Sequence, residues 1–204
     1  MLERMSEEKL RNHAIKHFEN HVAKYNDYGD VQIIDWKNKS GNNECYIRYI
    51  FDNPSGTLTI TGDLYWLVVQ NGYAQSNISI TNISQYFDDA QYFVEKVKAS
   101  SGNNVYWYDE TLAKTQIWIK LTQCYEDYDE DCDDMEISEL CDELMEMFSS
   151  VNGFNGVYHT EAIEKLQNMD QDYFEWFYDC GKAISPNIYY YLEGLRMSME
   201  QLGL

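Results

Sequence analysis

The chain has 204 residues, and 35 Asp and Glu stand against 15 Lys and Arg, a formal net charge of −20 at neutral pH. Phosphates are bound by Lys and Arg, so a protein this acidic is repelled by DNA and RNA, and its charge points to cationic partners rather than direct nucleic-acid binding. Hydrophobic residues at 44% and aromatics at 15% are enough for a packed core, which excludes a disordered acidic chain.

Ser6 is placed to cap a helix with Glu7 and Glu8 in its first turn, and Leu10, Ala14, Phe18 and Val22 recur every four residues, which predicts a helix from Glu7 to about Tyr25. The period then changes to two. Val31–Lys37, Glu44–Asp52, Thr57–Thr61 and Leu64–Gln70 read as four strands, and the intervening Ser40-Gly41-Asn42-Asn43, Asn53-Pro54-Ser55-Gly56 and Gly62-Asp63 supply turn chemistry for antiparallel hairpins. Thr81 or Asn82 can cap a second helix, whose stripe of Ile83, Tyr86, Phe87, Ala90, Phe93, Val94 and Val97 should cover one sheet face.

Beyond the soft boundary at Ser100–Asn104 the chain reads as helical. Asp109 can cap a helix carrying Leu112, Ile117, Trp118 and Leu121; Ile137, Leu140, Cys141, Leu144, Met147 and Phe148 form the apolar face of another. Thr160 can cap a short segment, and Tyr173, Phe174, Trp176 and Phe177 crowd another that ends at Gly181. Ser185-Pro186 is an N-cap with proline at the first helical position, opening a helix that runs to Gly203. The expected class is α+β: an N-terminal helix, a four-stranded antiparallel sheet packed by a helix, and an acidic helical C-terminal half. Residues 1–100 are expected to form one region and 101–204 a second, either packed with the first as one unit or separate from it.

The charge is localised. No Lys or Arg occurs from Leu121 to Glu164, an interval that holds fourteen of the 35 acids. Twelve of them, Glu126, Asp127, Asp129, Glu130, Asp131, Asp133, Asp134, Glu136, Glu139, Asp142, Glu143 and Glu146, crowd into one span. If wholly helical, that span would be about 32 Å long with roughly one charge per 2.6 Å, between the ~3.4 Å of a single DNA strand and the ~1.7 Å of a duplex. Such a surface costs folding energy by self-repulsion and can occupy a Lys/Arg-lined groove built for phosphates, so these twelve acids are the expected partner-binding residues. The alternative is a solvated acidic face. The many Tyr and Trp add candidate interface anchors.

Motifs for chemistry are weak. Asp127, Asp129, Asp131 and Asp133 alternate as in an EF-hand loop, but Cys132 stands where glycine is needed and Ser138 where a bidentate Glu belongs. His13, His17 and His21 fall on one predicted helix face, yet the first and last are about 12 Å apart along the axis, too far for one ion. No phosphate-binding loop, dinucleotide fingerprint or nucleophile elbow is present, and His159 has no partner by motif. The expectation is a non-enzyme without metal or cofactor. Five cysteines without a C-x-x-C pair, and an N-terminal segment lacking the apolar core of a signal peptide, predict reduced thiols and a cytoplasmic setting, with no membrane segment.

Tyr46–Val69, with Thr61-Gly62-Asp63-Leu64 between two strands, and the later Tyr92-Phe93-Val94-Glu95-Lys96-Val97 resemble small acidic proteins carried by phages and mobile elements of Gram-positive bacteria. Some of these are anti-CRISPR inhibitors of type II effector nucleases. The resemblance covers about residues 31–100 and brings no catalytic residues. It implies a stoichiometric inhibitor of a type II CRISPR effector nuclease or its guide-RNA complex, acting in the host bacterial cytoplasm as a DNA mimic that blocks DNA binding or cleavage. An acidic phage or host adaptor that binds another basic protein is the competing expectation.

Overall fold

The computed structural model describes residues 6–41, 44–71, 78–102, 105–128, 134–149, 153–156 and 160–204, with backbone only at 125–128, 134 and 160. The chain divides into two compact units: residues 1–105 with 184–204, and residues 106–183. The second unit is therefore an insertion between the last sheet strand of the first unit and its C-terminal helix.

In the first unit, α1 (Glu7–His17) opens as expected, with the Lys9 N–H donated to Ser6 Oγ at 3.3 Å. It stops at Phe18 rather than continuing to Tyr25, because β1 (His21–Asp27) leaves the helix to pair with β2 (Val31–Asn38). Val22 fits a four-residue repeat, but Ala23 and Tyr25 lie opposite Trp36 and Ile34 in a strand register, and the ladder along all of β1 overrides the helical pattern. His21 is consequently on a strand, so the three-histidine helix face does not exist.

The antiparallel sheet continues through β3 (Ile47–Asp52), β4 (Thr57–Gly62), β5 (Leu67–Gln70) and β6 (Val97–Ser100), in the order β1-β2-β3-β4-β5-β6. Six strands replace the expected four, the additions being the two edges: β1, most of which falls within the expected first helix, and β6, which begins at Val97, the last residue of the expected second-helix stripe. Between β5 and β6 the expected long helix is broken into a 3₁₀ turn, Ile83–Tyr86, and the short α2 (Ala90–Glu95), which is capped by Asp89 Oδ1 accepting the Tyr92 N–H at 2.8 Å. Its apolar stripe still does what was expected: Ile83, Tyr86, Phe87, Ala90, Phe93 and Val94 are buried in the core with the sheet.

The Thr61–Leu64 marker has a local physical cause. Gly62 has φ +139°, and a Cβ there would lie 2.0 Å from the Tyr46 carbonyl oxygen, so only glycine fits. Asp63 then locks the turn, its Oδ2 accepting the Tyr46 N–H and its own N–H donated to the Tyr46 carbonyl, both at 2.9 Å.

The core face of the sheet, with Ile34, Trp36, Tyr49, Phe51 and Ile60, packs with α6 (Pro186–Leu202). Ser185 caps this helix and Gly203 ends it in the left-handed region, as read from sequence. The sequence placed α6 with the acidic half, but it belongs to the first unit. Its Ile188, Leu192, Leu195 and Met199 stripe says that a surface covers it without saying which one. Gly194 lets α6 come close: Tyr49 Oη donates to the Tyr191 carbonyl at 2.9 Å, and a Cβ on Gly194 would lie 2.7 Å from that hydroxyl. Glu193, 3% exposed, receives Arg11 from α1 at 2.7 Å and Arg196 from its own helix at 2.5 Å. Burial works against the Arg11 cation, but its hydrogen bonds to Glu193 and Glu7 outweigh this and hold its pKa above the ordinary value.

The second unit contains β7 (Tyr106–Tyr108), α3 (Glu110–Tyr128), α4 (Asp134–Met145), the two-residue strands β8 (Phe148–Ser149) and β9 (Gly153–Phe154), α5 (Thr160–Met169), two 3₁₀ turns at Tyr173–Glu175 and Phe177–Asp179, and β10 (Lys182–Ile184), which pairs with β7. Asp109 caps α3 as expected, its Oδ1 accepting the Leu112 N–H at 2.9 Å. The core joins Ala113, Ile117 and Leu121 to Ile137, Leu140, Cys141 and Leu144 of α4, together with Ala162, Leu166 and Phe177; Met147 and Phe148, expected on the same helix face, are buried in this core too but lie beyond the end of α4.

Candidate functional site

The second unit concentrates the charge. Residues 106–183 hold twenty acids and four lysines, a net −16, whereas the first unit holds fifteen acids and eleven basic residues, a net −4. Chain order conceals this partition, since the acids of 161–179 are separated in sequence from the dense span but share its folded unit.

The dense span is not one rod. Lys114 Nζ lies 2.6 Å from Asp142 Oδ1, and Cys141 Sγ donates to the Lys114 carbonyl at 3.7 Å. In a continuous helix residues 114 and 142 would be about 42 Å apart, so the chain reverses between α3 and α4 and the 32 Å linear estimate does not hold. Glu126 and Asp127 lie in the last turn of α3, and Asp134 begins α4. Asp129, Glu130, Asp131 and Asp133 lie outside the described residues, as does most of the EF-hand-like repeat.

On α4 and the turn after it, Glu136, Glu139, Asp142 and Glu146 are exposed and Glu143 is half-buried. At about 100° per residue, Glu136, Glu139, Glu143 and Glu146 fall within an arc of roughly 80°, away from the buried Ile137, Leu140, Cys141 and Leu144. The stripe is about 15 Å long, with an acid every ~5 Å, sparser than a single DNA strand. Lys114 further offsets Asp142. Glu143 Oε2 is buried without a hydrogen-bond partner among the described residues. The exposed Glu161 and Glu164 of α5 extend the acidic surface of the same unit.

Other acids of the unit are committed to structure, and sequence reasoning did not single them out. Asp170 Oδ2 accepts the Trp176 indole N–H at 2.8 Å, and Asp179 pairs with Lys182. Their only sequence signal was proximity to the aromatic run at Tyr173–Phe177.

The groups considered for chemistry have structural settings. His13 Nδ1 lies 2.5 Å from Tyr190 Oη, and His21 Nε2 lies 3.1 Å from the Glu44 carbonyl oxygen. Burial lowers the His21 pKa, with the hydrogen bond to Glu44 opposing the shift, so the ring is neutral at pH 7. Cys45, Cys141 and Cys180 are free thiols whose pKa values are raised by burial, Cys180 to about 12, and none is a thiolate at neutral pH. Among the described residues no group of three or more His, Cys, Asp or Glu is placed to hold a metal ion, and no helix is long and apolar enough to cross a membrane.

Comparison with protein-family models, with curated proteins and with solved structures finds no match for this chain.

Proposed function

We propose that the protein is a stoichiometric inhibitor of the anti-CRISPR type, in which the first unit is a scaffold and the second, net −16, engages a basic nucleic-acid-binding groove of a type II CRISPR effector nuclease. The charge partition carries this reading. A packed unit with twenty acids and four lysines sustains self-repulsion that a neutralising lysine or two would relieve, and its α4 stripe sits on a helix held by a buried core. Carboxylates on a rigid element present charge to Lys and Arg without a backbone ordering cost, and the surrounding field accelerates encounter with a positive channel. Cleavage is blocked by occupancy, with no chemistry required of the inhibitor.

The test adds the protein to a guide-loaded type II effector and measures target-DNA binding at low and high salt. Inhibition should be stoichiometric, weaken as salt rises, and fall when Glu136, Glu139, Asp142 and Glu146 are replaced together by Gln and Asn. Inhibition that survives those replacements, or no inhibition of any type II effector tried, refutes the proposal. A basic protein captured in place of an effector would transfer the same acidic surface to an adaptor role.

A further inference from the structure

The second unit contains a cleft of about 310 Å³ that the acidic surface does not use. Gln116, Ile119 and Lys120 line it from one face of α3, and Trp176, Asp179 and Cys180 line it from the 3₁₀ segment. The volume is at the small end of ligand sites, enough for one or two fused rings. Its walls are largely apolar. Ile119 is 49% exposed, and the Trp176 ring is held in place by the indole N–H bond to Asp170.

The polar groups around the cleft divide sharply into committed and uncommitted. Gln116 Oε1 accepts the Gly181 N–H at 2.8 Å, which fixes the amide and leaves its Nε2 donors free. Asp179 is ion-paired with Lys182, and the Cys180 thiol donates to the Trp176 carbonyl at 3.6 Å. Lys120 makes no ion pair among the described residues, and its ammonium stands 6.0 Å from the centre of the Trp176 ring. The capacity left over is made of the donors Gln116 Nε2 and Lys120 Nζ, beside a flat aromatic face, and of the second carboxylate oxygen of Asp179, whose charge the Lys182 ion pair offsets. The Cys180 thiol, pushed up to about 12 by burial and then by Asp179, presents an uncharged wall rather than a nucleophile.

We propose that this cleft binds a small planar aromatic carboxylate, its ring laid against Trp176 and Ile119 and its carboxylate received by Lys120 and the Gln116 amide. The site is independent of the inhibitor reading, since it lies on α3 and the 3₁₀ segment rather than on the acid stripe of α4.

The experiment uses the full chain and two probes of the same shape, 2-naphthoate and its neutral isostere 2-naphthamide. Binding is followed by the five indole N–H resonances, with that of Trp176 identified by a Trp176→Phe variant. Naphthoate should shift the Trp176 resonance saturably and bind roughly tenfold more tightly than the amide, the factor that about 1.4 kcal/mol of charge-assisted bonding gives. Lys120→Met, at an exposed position, should abolish that preference, bringing the naphthoate affinity down to that of the amide. Ile119→Glu, also exposed, should remove binding of both probes. Equal affinities for the two probes, an undiminished preference in Lys120→Met, or shifts confined to other tryptophans would each overturn the assignment, as would no Trp176 shift at millimolar naphthoate.

Discussion

Glu193→Gln probes the buried ion-pair cluster of the first unit, because the side chain keeps its volume while losing its charge and one of the two oxygens that accept from the arginines. Glu193 is 3% exposed and receives Arg11 Nη1 at 2.7 Å on one oxygen and Arg196 at 2.8 and 2.5 Å on the other. Removing one partner of a fully buried pair costs about 3–5 kcal/mol. Here the arginines retain other acceptors: Arg11 keeps Glu7 at 2.8 Å and the Phe87 carbonyl at 2.7 Å, and Arg196 keeps Glu200 at 2.8 Å. Their side chains are also 17% and 32% exposed, so water recovers part of the loss. The expected cost is about 2–3 kcal/mol, a fall of about 1 M in the urea midpoint at an ordinary m-value near 2 kcal/mol/M. Urea unfolding should be followed through amide resonances of β3, which report the first unit. A buried cluster is poorly screened, so the loss should persist in 1 M salt. The exposed Lys114–Asp142 pair, with both side chains more than half exposed, serves as the contrast: Lys114→Gln should cost under ~1 kcal/mol and nothing at high salt. A Glu193→Gln cost below about 1 kcal/mol, or one that vanishes in high salt, would show that the cluster is not the crosslink between α1 and α6 described above.

Two further perturbations test the core and the sheet. Gly194→Ala gains helix propensity of about 1 kcal/mol, but its methyl would lie 2.7 Å from Tyr49 Oη and 3.3 Å from Phe18 and Trp36, so a net loss of about 1–2 kcal/mol is expected in urea unfolding. Combining it with Tyr49→Phe should cost less than the sum of the two single changes, and strict additivity would refute the clash. The Tyr46 pKa is pushed up to about 12 by burial and then by its hydroxyl's 2.5 Å bond to Asp35, from an ordinary value of 10.0. A folded-state pKa raised in this way gives stability that is complete below pH 10 and lost as pH climbs through 12. Tyrosinate absorbance and urea midpoints between pH 9 and 12.5 should show that loss reduced in Tyr46→Phe. An alkaline loss of the same size in the variant would assign it to other groups.

The residues most legible in sequence were those whose structure depends on near neighbours. Ser6, Asp109 and Ser185 all cap helices as read, because an N-cap involves only the residues two or three positions ahead. The α4 face was legible for the same reason, since its apolar and acidic residues alternate with the helical period. The edges of the sheet were not. His21–Asp27 and Val97–Ser100 carry residues compatible with either period, and each became a strand because a neighbouring strand offered an unpaired edge.

The candidate site divides in the same way. Sequence alone determined that the protein is acidic, that twelve acids crowd between Glu126 and Glu146, and that no basic residue relieves them before Lys165. These are properties of composition and spacing and need no fold. Tertiary structure decided that α6 leaves the acidic half for the sheet, that the dense span reverses between α3 and α4, and that Gln116 meets Gly181 to form one wall of a cleft. Each of those outcomes depends on contacts between residues tens of positions apart. Apolar burial drives such contacts but is non-directional, so a stripe of Leu and Ile specifies that it will be covered while the shapes of the competing surfaces choose the cover.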